Sequence, residues 1–153
     1  MSSPSLEQVA GYPLALDRHF APTTHAWVQV VGPNRVRVGI DALGAETNGT
    51  LAQLVFLPIG TRVDVGQSVG TVEAAKFVGP LASPIRGVVC AVNAAVAEDA
   101  GLVERDPYGE GWLVELEPDD LEADLGELLT GDDAREWFAR RIAEYRAEGV
   151  LAQ

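Results

Sequence analysis

A chain of 153 residues with 47% hydrophobic and 22% charged content has a globular rather than a disordered composition, with room for one domain and a real core. Its net charge of −12 argues against nucleic-acid binding and against docking on an anionic membrane, and favours partners with basic rims. One cysteine permits no internal disulfide, no basic-then-apolar leader is visible, and no window approaches the roughly 18 apolar residues of a membrane helix, so the chain reads as a soluble cytoplasmic protein.

Residues 1–13 are a weakly patterned lead-in, where Pro4 and Pro13 bracket a piece that suits a short helix or a loose segment. From Trp27 the period changes. Ala26 to Val31 and Arg35 to Ile40 alternate apolar with polar on either side of Gly32-Pro33-Asn34, which predicts a β-hairpin. The Ala-rich residues 41–49 suit a short helix stopped by a left-handed cap at Asn48-Gly49. Short β-type runs follow at Leu51 to Leu57, Arg62 to Val65, Gly70 to Ala74, Phe77-Val78, Gly87 to Val92 and Gly111 to Leu116, punctuated by glycine and proline. Such a series predicts a mainly β fold, a small sandwich or flattened barrel. Pro58-Ile59-Gly60 and Pro84-Ile85-Arg86-Gly87 each open a Val-rich strand, a faint internal echo of two related hairpin units.

After Pro118 the texture turns helical and acidic: residues 119–153 carry ten carboxylates against four arginines, half of the net charge. Leu121, Leu125, Leu128 and Leu129 recur at helical spacing, and Gly131 interrupts them. Asp133 with Glu136 resembles an N-capping pair. Ala134, Trp137, Phe138, Ile142 and Tyr145 then form a core-facing stripe, and Gly149 is a plausible stop.

Few residues suggest chemistry. His19 and His25 lack the further ligands a metal site needs and read as structural or surface residues. Cys90, in the apolar run Val88 to Val92 with no second cysteine or nearby cation, reads as an inert buried thiol. The glycines at 66 and 70 lack the ending of a phosphate loop, and the carboxylates are scattered. No hydrolytic or redox constellation is present, so the chain is not expected to be an enzyme in its own right. Lys76 stands apart: it is the only lysine among eleven lysines and arginines, and an amine can be acylated where a guanidinium stays protonated and inert. A bias toward arginine explains the scarcity of lysine but not its location in Gly70-Thr71-Val72-Glu73-Ala74-Ala75-Lys76-Phe77-Val78.

Several strings occur in order: Thr24-His25-Ala26-Trp27-Val28, Val38-Gly39-Ile40, Leu57-Pro58 with Gly60, Val72-Glu73-Ala74-Ala75-Lys76, Ser83-Pro84 with Gly87, Val92-Asn93, and Asp106-Pro107-Tyr108-Gly109-Glu110-Gly111-Trp112. Together they resemble the glycine cleavage system H protein family of lipoyl carriers. The resemblance implies a lipoyl-domain-like barrel-sandwich hybrid over residues 14–118, with the acidic segment 119–153 packed on it as helices. It implies lipoate bound covalently to Lys76 at a hairpin tip, and Glu73 as a recognition point for the lipoylating enzyme. It further implies an aminomethyl group shuttled between glycine decarboxylase, a tetrahydrofolate-dependent aminomethyltransferase and dihydrolipoamide dehydrogenase, by a monomeric carrier that is not itself an enzyme. Biotin is the other prosthetic group for a hairpin lysine, but methionines usually flank it, whereas Ala75 and Phe77 flank Lys76. The family's attachment run is commonly Glu-Ser-Val-Lys-Ala, against Glu73-Ala74-Ala75-Lys76-Phe77 here, and Asn48-Gly49-Thr50-Leu51 stands where Leu-Gly-Asp-Ile is usual. These departures keep two rivals open: an H-like lipoyl carrier of another pathway, such as cytoplasmic sulfur oxidation, and an unlipoylated interaction domain.

Overall fold

The computed structural model describes residues 6–151, so Pro4 lies outside the described residues. The central hairpin forms where the alternation places it. β4 (Ala26–Gly32) and β5 (Arg35–Ile40) pair antiparallel, with Trp27 opposite Gly39 and a bulge between Val30 and Gly32. β3 (His19–Phe20) flanks the hairpin on one side. On the other lie β11 (Val114–Pro118), β10 (Gly87–Val92) and β7 (Arg62–Val63), giving a six-stranded sheet in the order β3-β4-β5-β11-β10-β7. A second sheet holds β6 (Leu51–Phe56), β8 (Ser68–Ala74) and β9 (Val78–Ala82) in the order β6-β8-β9. Val28, Val36 and Val38 of the large sheet meet Leu54, Val69 and Val72 of the small one in one buried cluster. The result is the mainly β sandwich with flanking helices that the spacing of short strands predicts.

The alternation expected for β4 does not hold: its first three residues are all buried, and Val30 and Val31, at the bulge, are both exposed. Trp27 and Val28 are both fully buried, because this end of the sheet is covered on both faces. Val28 points at the small sheet, whereas Trp27 joins a second cluster with Leu14, Phe20, Leu43, Phe138 and Ile142. Full burial of each large aromatic contributes on the order of 2–3 kcal/mol. Gly39 makes room for the indole: a Cβ there would come 2.3 Å from Trp27 Cζ2.

The second cluster rests on elements at the two ends of the chain. The piece before Pro13, considered above as a short helix, is instead one arm of an antiparallel hairpin of β1 (Leu6–Val9) and β2 (Tyr12–Ala15). Ala10 and Gly11 both take positive φ at its turn, a two-residue geometry that a hydrophobic-period reading does not detect. The aromatic stripe lies on α5 (Gly131–Ala147), which buries Ala134, Trp137, Phe138 and Ile142. α5 begins earlier than the expected capping pair: Thr130 holds the N-cap position and Asp133 lies inside the first turn, where its charge complements the helix dipole. Gly131 opens the helix rather than interrupting it. The stop is as expected. Gly149 adopts φ +74, and the Gly149 and Val150 amides donate to the Arg146 and Tyr145 carbonyls in a Schellman arrangement.

Four short helices complete the fold: α1 (Ala42–Asn48), α2 (Ala94–Glu98), α3 (Leu102–Arg105) and α4 (Leu121–Leu125). No described helix is long and apolar enough to cross a membrane.

On the outer face of the large sheet, Glu115 sits between Arg35 Nε at 2.6 Å and Arg37 Nη2 at 2.7 Å. Burial pushes the Glu115 carboxyl up, but the hydrogen bonds from Arg37 and Arg35 outweigh it and hold it below the ordinary carboxylate range. A depressed folded value means stabilisation fully present above the unfolded pKa of about 4.3 and lost as pH falls through the folded one. The melting temperature of the wild type is therefore expected to fall more steeply below pH 4 than that of Glu115→Gln; parallel curves would refute the linkage. Cys90, on the neighbouring strand, is half-buried rather than buried. Burial raises its thiol pKa, and Arg35, a cation the sequence reading placed nowhere near it, only partly offsets that rise.

Candidate functional site

Lys76 lies in the bend that joins β8 to β9, and its side chain is exposed. The flanking strands hold this bend tightly in register, with Glu73 opposite Val78 and Val72 opposite Gly79, and the Ala74 amide donates to the Phe77 carbonyl at 2.9 Å across its base. Alternation along β8 buries Val72 and Ala74 and turns Thr71 and Glu73 outward. Glu73 is thus exposed beside Lys76, yet the two do not pair. Among the described residues no carboxylate comes within salt-bridge distance of Lys76 Nζ. The amine is neither buried nor occupied.

The bend is also held from outside its own sheet pairing. The Lys76 amide donates to the Asn48 carbonyl and the Ala75 amide to the Thr50 carbonyl, both at 2.9 Å. Asn48 is the last residue of α1 and Thr50 lies in the connector that leaves it, and Glu104 Oε1 accepts from the Leu51 amide at 2.7 Å to fix the connector's far end. α1 therefore acts as a strut whose C-terminal end carries the lysine bend. Its N-terminal end is anchored by two groups. Asp41, fully buried, accepts from the Gly44 amide at 2.8 Å as N-cap and places its other oxygen 2.9 Å from His25 Nδ1. The Tyr108 hydroxyl accepts from the Ala42 amide at 3.1 Å and donates to the Pro13 carbonyl at 2.8 Å. Burial and the nearby Asp41 charge raise the Tyr108 pKa far above the ordinary tyrosine value, so it stays a phenol.

A cleft of about 330 Å³ adjoins the bend. Residues of β9, the edge strand of the small sheet, and of the ends of β4 and β5 line it, together with Asn48, Phe77, His25 and Tyr145. His25 Nε2 lies 2.9 Å from the Tyr145 hydroxyl, so the ring bridges α5 to Asp41. In the tautomer whose Nδ1 donates to the Asp41 carboxylate, Nε2 accepts from the tyrosine hydroxyl. His25 thus has a structural role, as its spacing suggested, and it holds a left-handed φ of +63 to fill it.

Comparison with known proteins bears on what this arrangement is. The family model for the glycine cleavage H-protein matches residues 19–141. The chain belongs to the glycine cleavage H-protein family. Relatives in it include glycine cleavage system H protein 3 of Aquifex aeolicus, 33% identical over 132 residues that cover 84% of this chain and 82% of that protein. The glycine cleavage system H protein of Mycolicibacterium vanbaalenii is 40% identical over 115 residues, covering 74% of this chain and 88% of that protein. The crystal structure of a glycine cleavage system H protein from Mycobacterium marinum superposes with a TM-score of 0.71 at 33% identity, covering 84% of this chain and 98% of that one. The H-protein fold, a barrel-sandwich hybrid, is therefore the fold of this chain.

Within this H-protein fold the motif residues divide into two groups. Lys76 and Glu73 stand together on the exposed β8–β9 hairpin. The Asp106-to-Trp112 string instead forms a turn that ties elements together, with Pro107, Tyr108 and Gly111 buried and Glu110 exposed. Trp27 Nε1 donates to the Pro107 carbonyl at 3.0 Å, Asn93 Nδ2 donates to the Glu110 and Trp112 carbonyls at 2.7 Å each, and Tyr108 reaches α1. Asp41 and the carbonyls of Asn48 and Thr50 are not among the site residues that the sequence suggests; Asn48 enters there as a helix stop and Thr50 as part of a departure from the family pattern. Asp41 carried a usable signal, an Asp directly before an Ala-rich helix. The backbone acceptors at Asn48 and Thr50 carried none, because any residue supplies a carbonyl.

Proposed function

We propose that this protein is a lipoyl carrier of the glycine cleavage system, with Lys76 as the attachment lysine. The observation that carries the reading is the chain's only lysine presented on an exposed, doubly anchored hairpin, its amine paired to no carboxylate among the described residues. Attachment forms an amide: Nζ, having lost its ammonium proton, attacks the carbonyl of a lipoyl adenylate made by the lipoylating enzyme, the bond from that carbonyl to the phosphate oxygen breaks, AMP leaves, and the nitrogen sheds a second proton to become a neutral amide. Glu73, outward on the same hairpin, is the point that enzyme reads. When bound, lipoate supplies the disulfide that takes up the one-carbon unit left by glycine decarboxylation and is later reoxidised; the chain supplies position.

The chain's own contributions are mechanical and electrostatic. The strut α1 and the paired strands fix the origin of the arm, so its motion is confined to the side chain and the prosthetic group. The adjoining cleft offers the carried group shelter from solvent. A net charge of −12 draws the carrier toward basic rims on glycine decarboxylase, the aminomethyltransferase and dihydrolipoamide dehydrogenase, and added salt weakens those encounters. The chain itself then holds no catalytic residue.

The test is co-expression with lipoate and a lipoate ligase, intact-mass analysis, and addition of the lipoylated protein to glycine decarboxylase. One lipoyl group on Lys76 and exchange of labelled bicarbonate into glycine are expected. Modification without exchange would shift the reading to a lipoyl carrier of another pathway, and an unmodified Lys76 would overturn it.

A further inference from the structure

We infer that Gly49 is a positioning residue for Lys76: its bare α-carbon is the seat on which the lysine stem lies, and it sets the direction in which the amine leaves the bend. Gly49 caps α1 with φ +77 and donates its amide to the Glu46 carbonyl. Its α-carbon faces the hairpin. A Cβ built there would stand 3.1 Å from Lys76 Cγ, 3.4 Å from Lys76 Cδ and 3.3 Å from Ala75 Cβ. Contacts this tight are relieved only if a neighbour moves. Ala75 is not free to do so, because its amide and that of Lys76 are pinned to the Thr50 and Asn48 carbonyls at 2.9 Å. The lysine stem is the part that yields. Any side chain at position 49 therefore turns the first carbons of the arm away from α1, while the backbone of the bend stays where it is.

This seat differs from the turn-forming glycines elsewhere. Gly60 and Gly66 also have positive φ, at +95 and +87, but a Cβ on either meets nothing within 4 Å. Their need for glycine is conformational only, and Gly66 lies at the other end of β8 from the lysine. Gly66→Ala thus also places a side chain on a positive-φ backbone, but without touching the arm.

The functional consequence rests on the lipoyl-carrier reading above, but the geometry does not, and the experiment separates the two. Because Lys76 is the only lysine, growth on ¹³C-lysine labels this one side chain. In the unmodified wild type, nuclear Overhauser contacts are expected between the Lys76 γ and δ protons and the Gly49 α protons. Their absence would overturn the proposal without any variant being made. Gly49→Ala is expected to shift the Lys76 Cγ and Cδ resonances and to lower kcat/KM for ligase-catalysed lipoylation about tenfold. Gly66→Ala is expected to lose thermal stability while leaving both unchanged. Equal lipoylation of the two variants would also overturn it. If the wild type shows the contacts but takes no lipoate, the lipoyl reading fails and the seat stands.

Discussion

Lys76→Arg is expected to abolish lipoylation and all carrier activity while leaving the fold intact. Arginine keeps the positive charge and a long apolar stem, but its guanidinium stays protonated and does not acylate. No second lysine exists to take over the role. The side chain is exposed and pairs with no carboxylate among the described residues, so the exchange removes no structural contact beyond the stem lying on Gly49. A surface change of this kind costs within about 0.5 kcal/mol, or roughly 2 °C in melting temperature for a chain of this size. Intact mass, glycine–bicarbonate exchange and a melting curve on the same preparation check all three parts. A variant that melts normally, carries nothing on residue 76 and still supports exchange would remove the basis for a lysine-borne arm.

The largest structural effect is expected at Asp41. Asp41→Ala removes an N-cap, worth about 1 kcal/mol, and leaves buried His25 Nδ1 without its partner, at about 1–3 kcal/mol. The combined loss is about 2–4 kcal/mol, or roughly 5–15 °C in melting temperature. The site has little scope for repacking. His25 already holds a left-handed backbone, and α1 packs so closely on it that a Cβ at Gly44 would come 2.7 Å from His25 Cβ. Asp41→Asn, which can still cap, is expected to lose about half as much. Since α1 and the connector leaving it carry the acceptors for the Lys76 and Ala75 amides, Asp41→Ala is also expected to speed hydrogen exchange at those two amides more than at Thr71 or Val72 in the middle of β8. A uniform acceleration along the hairpin would show that α1 does not act as a strut.

The comparison of elements shows where sequence reasoning carried and where it stopped. The β4–β5 hairpin, α1 with its glycine stop, β10 and the aromatic face of α5 were legible because each rests on a local signal: alternation, a cap or a 3.6-residue stripe. The β1–β2 hairpin, α2 and α3 were not, since their runs of four or five residues are too short for a period to emerge. The start of α5 was misplaced because Asp133-x-x-Glu136 fits a capping box, while Thr130, the true N-cap, makes no side-chain cap bond at all and donates its hydroxyl to the distant Arg18 carbonyl. Cys90 was misjudged because its neighbours in sequence are apolar, whereas its neighbours across the sheet include Arg35, Glu115 and Glu117.

By itself the sequence determined the class of fold, the family and the identity of the singular amine, because these depend on local patterning, on ordered motifs and on a count of lysines. Tertiary structure alone decided that the amine pairs with no carboxylate among the described residues and that α1 braces its bend. It also decided that Gly49 lies beneath its stem and that the Asp106-to-Trp112 string is a tie between elements rather than part of the exposed hairpin. Each of these is a relation between segments distant in the chain or between a side chain and a backbone atom of no particular residue type. Such relations are settled by how two sheets and a helix share their buried faces, and leave no trace in the order of residues along any one of them.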